Sequence, residues 1–338
     1  MNAVVLHESP LGRQESVAPS KLQVRVQAVS YLADDINQFE FVSVDSDTLP
    51  AFTPGSHIDV HLPEGSIRQY SLCNACTERH RYVIAVLRDP LGRGGSMAMH
   101  DVLRAGQIVT VSAPRNHFAL SSAATKHLFI AGGIGITPIM SMIAEVQRRG
   151  ESFHLHYCAR TPQRTAFTRE LCGLVASGLA SIHYDNGDPS KGLDLKATLR
   201  RQSEGTHLYY CGPAGLMDAI EAASTHWPRD AIHCERFSAS GTPVRTAGDD
   251  PEQPFEVELA RSKMRFIVHP GETIVDALKL QGVEVDTSCC EGYCGTCMTR
   301  YLSGDPLHRD SVLDEDDREE FIMICCSRAK SGALVLDL

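Results

Sequence analysis

Basic residues are scarce in this sequence, and that scarcity bears first on the kind of partner the chain can have. The 338 residues include 32 Lys and Arg against 42 Asp and Glu, which gives a formal net charge of −10. Nucleic-acid binding usually relies on a basic stripe, and no segment of the sequence supplies one. The composition therefore argues against nucleic acid as a partner.

Hydrophobic runs of membrane-spanning length are also lacking. The longest apolar stretch, residues 128–144, falls just short of that length and is interrupted by Gly132, Gly133, Gly135 and Pro138. The N-terminus has neither the basic start nor the long apolar run of a secretory signal. We expect a cytoplasmic protein that has no membrane partner.

Cysteine, in contrast, is abundant, and its placement indicates chemistry rather than disulfides. Of the 12 cysteines, some are scattered, whereas others crowd into residues 289–297 and 325–326. In a cytoplasmic chain such a tight cluster indicates a metal or redox site.

Three segments with different patterns divide the chain. Residues 22–118 contain short alternating strands between Pro and Gly turns, typical of an antiparallel β-barrel. Residues 126–237 alternate strand and helix, which predicts a doubly wound parallel α/β domain. Its predicted strands are 128–131, 153–158 and 207–211, and its predicted helices are 138–149, 166–176 and 214–224.

The remaining segment opens with a polar stretch rich in turn formers, which reads as an interdomain linker. Two strands at 255–259 and 264–268 follow, then a helix at 274–281, which predicts a small α+β domain. We place a barrel domain at 1–120, an α/β domain at 121–237, a linker at 238–254 and the last domain at 255–338.

The crowded cysteines provide the most specific motif. Cys289, Cys294 and Cys297 have the C-x4-C-x2-C spacing of plant-type 2Fe–2S ligation, and a further cysteine comes from the 325–326 doublet. A structural zinc site is the alternative, but zinc sites usually have two C-x2-C arms, and the crowded cysteines supply only one. The spacing favours a plant-type ferredoxin domain of the β-grasp class.

A second motif is the glycine-rich turn at 131–138, which lies between a buried strand and a helix. Its backbone amides are suited to a pyrophosphate. The alternative is that the glycines serve only close packing. A second tight turn at 210–214 follows another strand of the same predicted sheet, and two such turns at one sheet edge indicate a nucleotide crevice.

A third motif joins Arg68 and Tyr70 on a barrel strand to Gly94, Gly95 and Ser96 ahead of a short helix. The guanidinium and the backbone amides are suited to a phosphate, and the tyrosine offers an aromatic face for an isoalloxazine ring. Taken alone, this run is more often an ordinary strand. Its position directly before the nucleotide domain favours a flavin site.

With these motifs in this order, the sequence resembles the reductase components of Rieske-type aromatic oxygenases, the phthalate dioxygenase reductase and vanillate demethylase reductase group. The resemblance covers nearly the whole chain, including Arg-x-Tyr-Ser-Leu-Cys-Asn at 68–74, Gly-Arg-Gly-Gly-Ser at 92–96 and Cys-Gly-Thr-Cys at 294–297. Leu87 and Cys290 depart from it: the phthalate enzyme has lysine at the first position, and glutamate is usual at the second.

The resemblance implies an FMN cofactor, a 2Fe–2S cluster and NADH. For the flavin and nucleotide sites it and the motifs together assign Arg68, Tyr70, Ser71, Val86, Leu87, Arg88, Gly94, Gly95, Ser96, Met97, Gly132, Gly133, Ile134, Gly135, Thr137, Pro138, Arg160, Cys211, Gly212, Pro213 and Phe237. The resemblance selects Cys325 as the fourth cluster ligand, beside Cys326. Ser71, Thr137 and Cys211 are the catalytic candidates, for aligning the nicotinamide and flavin rings.

The implied function is a reductase that passes electrons from NADH through FMN and the cluster to a separate Rieske-type oxygenase or demethylase. Its rivals are a flavin reductase with other acceptors and a zinc-bearing binding module. NADPH also stays open, because Arg160 and Arg164 replace the acidic residue that would repel a 2′-phosphate. A monomer is compatible with the sequence.

Two further features carry weaker predictions. The 15 histidines lack metal-site spacing and are interpreted as surface or satisfied core groups. Acidic residues at 310, 314–317 and 319–320 bunch before Cys325. They either keep the surface soluble or form a face that docks a basic patch on the oxygenase.

Overall fold

The computed structural model describes residues 21–92, 94–237, 253–287, 292, 295–310, 312–313 and 315–338. In this part of the chain the strands form one antiparallel sheet, one parallel sheet and one mixed sheet. No helix in these residues is both long enough and apolar enough to cross a membrane.

The first sheet is a six-stranded antiparallel barrel. Its strands are β1 Lys21–Ala33, β2 Ile36–Ser43, β3 His57–His61, β4 Ile67–Ser71, β5 Tyr82–Leu87 and β6 Ile108–Ser112, with the helix α1 Gly95–Asp101 before β6. The order is β4-β3-β6-β1-β2-β5, and a bridge between Leu72 and Ile84 joins the two edges. Alternating side chains such as Phe39 and Phe41 fill the interior, as period-two patterning predicts.

The second sheet is parallel and has helices on its faces. Its strands are β7 Lys126–Gly132, β8 Ser152–Ala159, β9 Ala180–Tyr184, β10 Thr206–Cys211 and β11 Ile232–Glu235, and its helices are α2 Ile136–Arg149, α3 Thr168–Ala176, α4 Leu195–Leu199 and α5 Ala214–Ala223. In the order β11-β10-β7-β8-β9 the chain first adds strands on one side of β7 and then on the other. The topological switch point therefore lies between β7 and β10. That switch point is where such sheets bind nucleotides, and both predicted turns follow these two strands.

One hydrophobic core joins the barrel to the parallel sheet. Ala85 of β5 and Phe118, which follows the barrel, belong to the same buried cluster as Phe129 of β7 and Ile139 of α2. In addition, the backbone N–H of Gly55 donates to Ser141 Oγ at 3.1 Å. These two parts of the chain therefore pack as one unit.

The third sheet is mixed and has its own core. Its strands are β12 Phe255–Leu259, β13 Arg265–Val268, β14 Met298–Leu307, β15 Phe321–Met323 and β16 Arg328–Leu336, in the order β13-β12-β16-β14-β15, and its helix is α6 Ile274–Leu280. The helix begins with a capping box, because Thr273 Oγ1 accepts from Asp276 N–H and the Asp276 carboxylate accepts from Thr273 N–H.

The predicted fold class is confirmed in all three parts, and the predicted strands and helices agree with the observed ones to within a few residues. Ala166 and Phe167 lie before α3 rather than in it, because Phe167 adopts a left-handed backbone at φ 59° that a helix does not tolerate. Most of the predicted linker and Cys289 and Cys294 lie outside the described residues.

Histidine pairs on the parallel sheet make its stability sensitive to pH. His156 Nδ1 lies 3.1 Å from His183 Nε2, and His207 Nδ1 lies 2.9 Å from His233 Nε2. Burial, followed by a neighbouring imidazole, lowers the pKa of His156 and that of His233 to about 4. Since unfolded histidine titrates near about 6.5, the unfolded chain binds more protons than the folded chain between that pH and about 4.

We therefore predict that the free energy of unfolding of this domain is retained above about pH 6.5 and falls as the pH drops towards 4. The sole tryptophan, Trp227, is buried in this domain and donates to the Leu199 carbonyl, so its fluorescence reports the transition during urea unfolding. His156→Gln should flatten the pH dependence. If the free energy of unfolding changed with pH at the same slope in the variant and the parent, this assignment would be contradicted.

Candidate functional site

A cleft of about 470 Å³ is the main candidate site, and residues from all three sheet regions line it. The barrel contributes Arg68 and Ser71, the parallel-sheet domain contributes Thr137 and Phe237, and the cysteine-bearing domain contributes Val312. This volume is in the range of small-molecule and cofactor sites. The cleft also lies at the open end of the topological switch point.

The structure brings part of the predicted set to this cleft. The lining residues among the predicted ones are Arg68, Tyr70, Ser71, Val86, Leu87, Gly95, Ser96, Ile134, Thr137 and Phe237. The other predicted flavin and nucleotide residues do not line it: Arg88, Gly94, Met97, Gly132, Gly133, Gly135, Pro138, Arg160, Cys211, Gly212 and Pro213.

At one end of the cleft Arg68 lies directly over the start of α1. A side-chain carbon at Gly95 would come within 2.3 Å of Arg68 Nε, so only glycine permits this approach. Gly94 has φ 82°, a left-handed backbone that also favours glycine. A guanidinium held against the start of a helix suits a terminal phosphate.

Two aromatic side chains stand by the same cleft. Tyr70 packs on the barrel core and Phe237 on the core shared by the barrel and the parallel sheet, and both are partly buried. Flat side chains on these walls suit an aromatic ring system. With the cradle at Arg68, the residues present fit a flavin mononucleotide.

A buried polar group beside Ser71 escaped the sequence analysis. Ser71 Oγ donates to Glu235 Oε2 at 3.4 Å, and His57 Nδ1 lies 3.9 Å from Glu235 Oε1. Burial raises the pKa of Glu235 to about 8, and burial with nearby Arg115 lowers that of His57 to about 3. Both groups are therefore predominantly uncharged at neutral pH.

His57 corrects one sequence interpretation. It is 4% exposed, and within the described residues neither ring nitrogen has a hydrogen-bond partner, so it is neither a surface group nor a satisfied core group. A buried imidazole without partners in a cleft suits a bound molecule. Glu235 lies two residues before the predicted site residue Phe237, whereas His57 has no sequence signal.

The two glycine turns do pack against each other, as the alternative interpretation held. A side-chain carbon at Gly135 would lie 2.3 Å from the Cys211 carbonyl oxygen, and one at Gly212 would lie 3.0 Å from the Gly132 Cα. Gly133 differs, with φ 52° and open space where its side chain would be. Close packing explains three glycines, and only Gly133 faces open space.

The catalytic candidates occupy different environments. Ser71 and Thr137 line the cleft, and Thr137 Oγ1 donates to the Ile134 carbonyl at 3.0 Å. Cys211 is fully buried at the end of β10, and burial raises the pKa of its thiol well above the usual value. It is thus a neutral thiol beneath the turn.

The two arginines that left NADPH open are also unequal. Arg160 is exposed after β8, whereas Arg164 forms an ion pair with Asp35 of the barrel. The guanidinium of Arg164 is therefore turned towards the barrel.

Among the predicted cluster ligands, Cys297 is 3% exposed and Cys325 is 2% exposed. Cys326 is partly buried, and its Sγ lies so close to Gly292 that a side-chain carbon there would be 2.5 Å away. Within the described residues no group of three or more His, Cys, Asp and Glu side chains is arranged to hold a metal ion.

One residue of the predicted acidic cluster, Asp310, does not belong to the acidic surface. The side chain of Asp310 is fully buried, accepts from Leu313 N–H at 3.0 Å and forms an ion pair with Arg318 at 3.5 Å. The acidic face consists of the exposed residues Glu315, Asp316, Asp317, Glu319 and Glu320.

Comparisons with known proteins agree with this architecture. Residues 129–222 match the oxidoreductase NAD-binding domain, and residues 257–330 match the 2Fe–2S iron-sulfur cluster binding domain. The solved structure of phthalate dioxygenase reductase has a TM-score of 0.71 and 41% identity, covering 94% of this chain and 98% of that one.

Curated relatives match along nearly their whole length. Phthalate dioxygenase reductase of Burkholderia cepacia is 42% identical and covers 94% of this chain and 97% of its own. Vanillate O-demethylase oxidoreductase of a Pseudomonas species is 41% identical and covers 94% and 100%. The reductase subunit of tert-butanol monooxygenase from Aquincola tertiaricarbonis is 44% identical and covers 94% and 96%. The chain therefore belongs to the family of oxidoreductases that serve as the electron-transfer reductase components of oxygenase systems.

Proposed function

We infer that this protein is an NADH-dependent reductase that delivers single electrons to a separate Rieske-type oxygenase or demethylase. The observation that carries the inference is the one cleft lined by Arg68, Thr137 and Val312, from three different domains. A cofactor bound there would adjoin the first nucleotide turn, at Ile134 and Thr137, and the cysteine-bearing domain. The relatives of this protein are components of oxygenase systems, which supports an oxygenase as its partner.

FMN and a 2Fe–2S cluster supply the redox chemistry. Together the two groups would supply the conversion of the two-electron donor NADH into the single electrons that a 2Fe–2S cluster accepts. Arg68 and the Gly95 amide hold the phosphate, and Tyr70 and Phe237 flank the ring. Cys289, Cys294, Cys297 and Cys325 hold the cluster.

The surrounding side chains orient the rings and control charge. Ser71 and Thr137 align the flavin and nicotinamide rings, and Cys211 supports the turn beneath them. Glu235 holds a proton at its carboxyl at neutral pH, because burial raises its pKa to about 8. The cleft thus presents no carboxylate charge beside Ser71 to the bound rings.

NADH is the proposed substrate in preference to NADPH. Arg164 is engaged by Asp35, so only Arg160 of the two is free of an observed ion pair in the described residues. A 2′-phosphate therefore gains less from this site than the sequence suggests. A cytoplasmic location accords with NADH as donor and with cysteine thiolates as cluster ligands.

The optical spectrum of the purified protein tests the function most directly. We expect flavin bands together with broad iron–sulfur bands, both bleached by NADH. Cys294→Ser should abolish the iron–sulfur bands and the reduced-cluster paramagnetic signal, while NADH oxidation with ferricyanide stays largely intact. Cys290→Ser and Cys326→Ser are the matched controls and should keep the cluster. A colourless zinc protein would exclude the proposed function.

Arg68→Ala should weaken FMN retention, because a phosphate loses a charge-assisted contact worth about 1.5 to 3 kcal/mol. The variant should be purified with partly depleted flavin bands, and titration with FMN should give a higher Kd. Arg25→Ala is a matched control, since Arg25 is an exposed barrel arginine outside the cleft lining, bonded to the Gly106 carbonyl. Equal FMN affinity in all three proteins would make Arg68 an ordinary strand residue.

The acidic face carries a prediction about the partner. Residues 255–338 contain 16 acidic and 9 basic side chains, so 16 − 9 = 7 of the excess negative charges lie there. If this face docks a basic patch, Asp316→Asn with Asp317→Asn should lower the second-order rate of electron transfer to the oxygenase at low salt. The rate with ferricyanide should stay unchanged.

The matched control removes two exposed charges from the barrel, Asp45→Asn with Asp47→Asn. It changes the net charge equally and should leave the rate to the oxygenase unaltered. A rate that ignores salt and both double substitutions would rule out docking through the acidic face.

A further inference from the structure

His57 and His117 lie between the cleft and the cysteine-bearing domain. Their rings are stacked, with centroids 5.8 Å apart and planes inclined by 27°. Both side chains line the cleft, although His57 is buried and His117 is exposed. Burial together with positive Arg115 lowers the pKa of both rings.

The far side of His117 meets Gly295, which comes directly before Thr296 and Cys297. A side-chain carbon at Gly295 would lie 2.8 Å from His117 Cε1 and 2.9 Å from Nε2. Gly295 also has φ 74°, so glycine is required there for its backbone as well as for this contact. The histidine and the glycine thus fit each other across two domains.

Val312 supports the same placement, because it is a residue of the cysteine-bearing domain that reaches the cleft. Another contact to this domain is of a different kind. Arg229 and Glu315 form an ion pair at 3.3 Å, with side chains 91% and 86% exposed. Exposed pairs of this kind contribute little, so the packed contact at His117 is the better candidate for fixing position.

We propose that His57 and His117 form a stacked bridge that seats the segment Gly295–Cys297 at the cleft, with His117 as the positioning residue. The inference rests on the proposed function, since the seated segment contains a predicted cluster ligand. His57 supports His117 by stacking against its ring. The bridge fixes the geometry on which electron transfer from the cleft to the cluster depends.

The test compares His117→Ala with His117→Phe, which keeps an aromatic ring on Gly295, and with Arg229→Ala, which removes the exposed ion pair. Each protein, carrying its flavin and its cluster, is mixed with NADH in the absence of oxygen. The bleaching of the flavin bands and the bleaching of the cluster bands are then followed as two separate phases. In His117→Ala the ratio of the cluster rate to the flavin rate should fall several-fold, because electron transfer slows steeply as the distance between donor and acceptor grows. His117→Phe should restore most of the ratio, and Arg229→Ala should not change it.

A second readout does not depend on turnover. Hydrogen exchange of the backbone amides at 295–300 should rise in His117→Ala and return in His117→Phe, because exchange reports local opening. An unchanged rate ratio or unchanged exchange in His117→Ala would overturn the proposal, as would an equal effect of Arg229→Ala. If the parent protein has no cluster bands, the proposed function fails first, which separates the two cases.

Discussion

The close approach of two backbone turns at the switch point is the constraint on which the site depends. Gly135 lies against the carbonyl of Cys211, and Gly212 lies against Gly132, at distances that no side chain could occupy. This contact sets β10 and its neighbour β11 beside the glycine turn, so that Glu235 and Phe237 reach the barrel strand that carries Ser71. A side chain at Gly135 would therefore push the two turns apart.

Charge in the cleft follows from burial rather than from pairing. Within the described residues Glu235 has only a long contact to Ser71 and an even longer one to His57, so desolvation determines its proton affinity. Asp310 in the cluster domain shows the opposite arrangement, since a backbone amide and Arg318 surround its buried carboxylate. One carboxyl is kept neutral and the other is kept satisfied, although the side chain of Asp310 is fully buried and that of Glu235 is only 14% exposed.

Much of this molecule could be predicted from the sequence because its signals are local. Period-two and strand–helix patterns identified the three sheets, and Arg68 with Gly95 could be found because the two residues carry a recognisable chemistry. His57, Glu235 and Asp310 depend instead on which elements pack together, a property that no single segment contains. The same holds for Arg164, whose partner Asp35 lies in a different domain.

The shared core of the barrel and the parallel sheet limits how this chain can diverge. Ala85 lines the cleft and also belongs to the cluster that contains Ile139 on α2. A substitution that changes the side-chain volume in this core therefore also changes the packing of the cleft wall. A substitution in this shared core therefore alters the packing of the barrel and of the nucleotide domain together. The last domain has a separate core, which leaves its outer surface free to adapt to a new electron acceptor without disturbing the chemistry that feeds it.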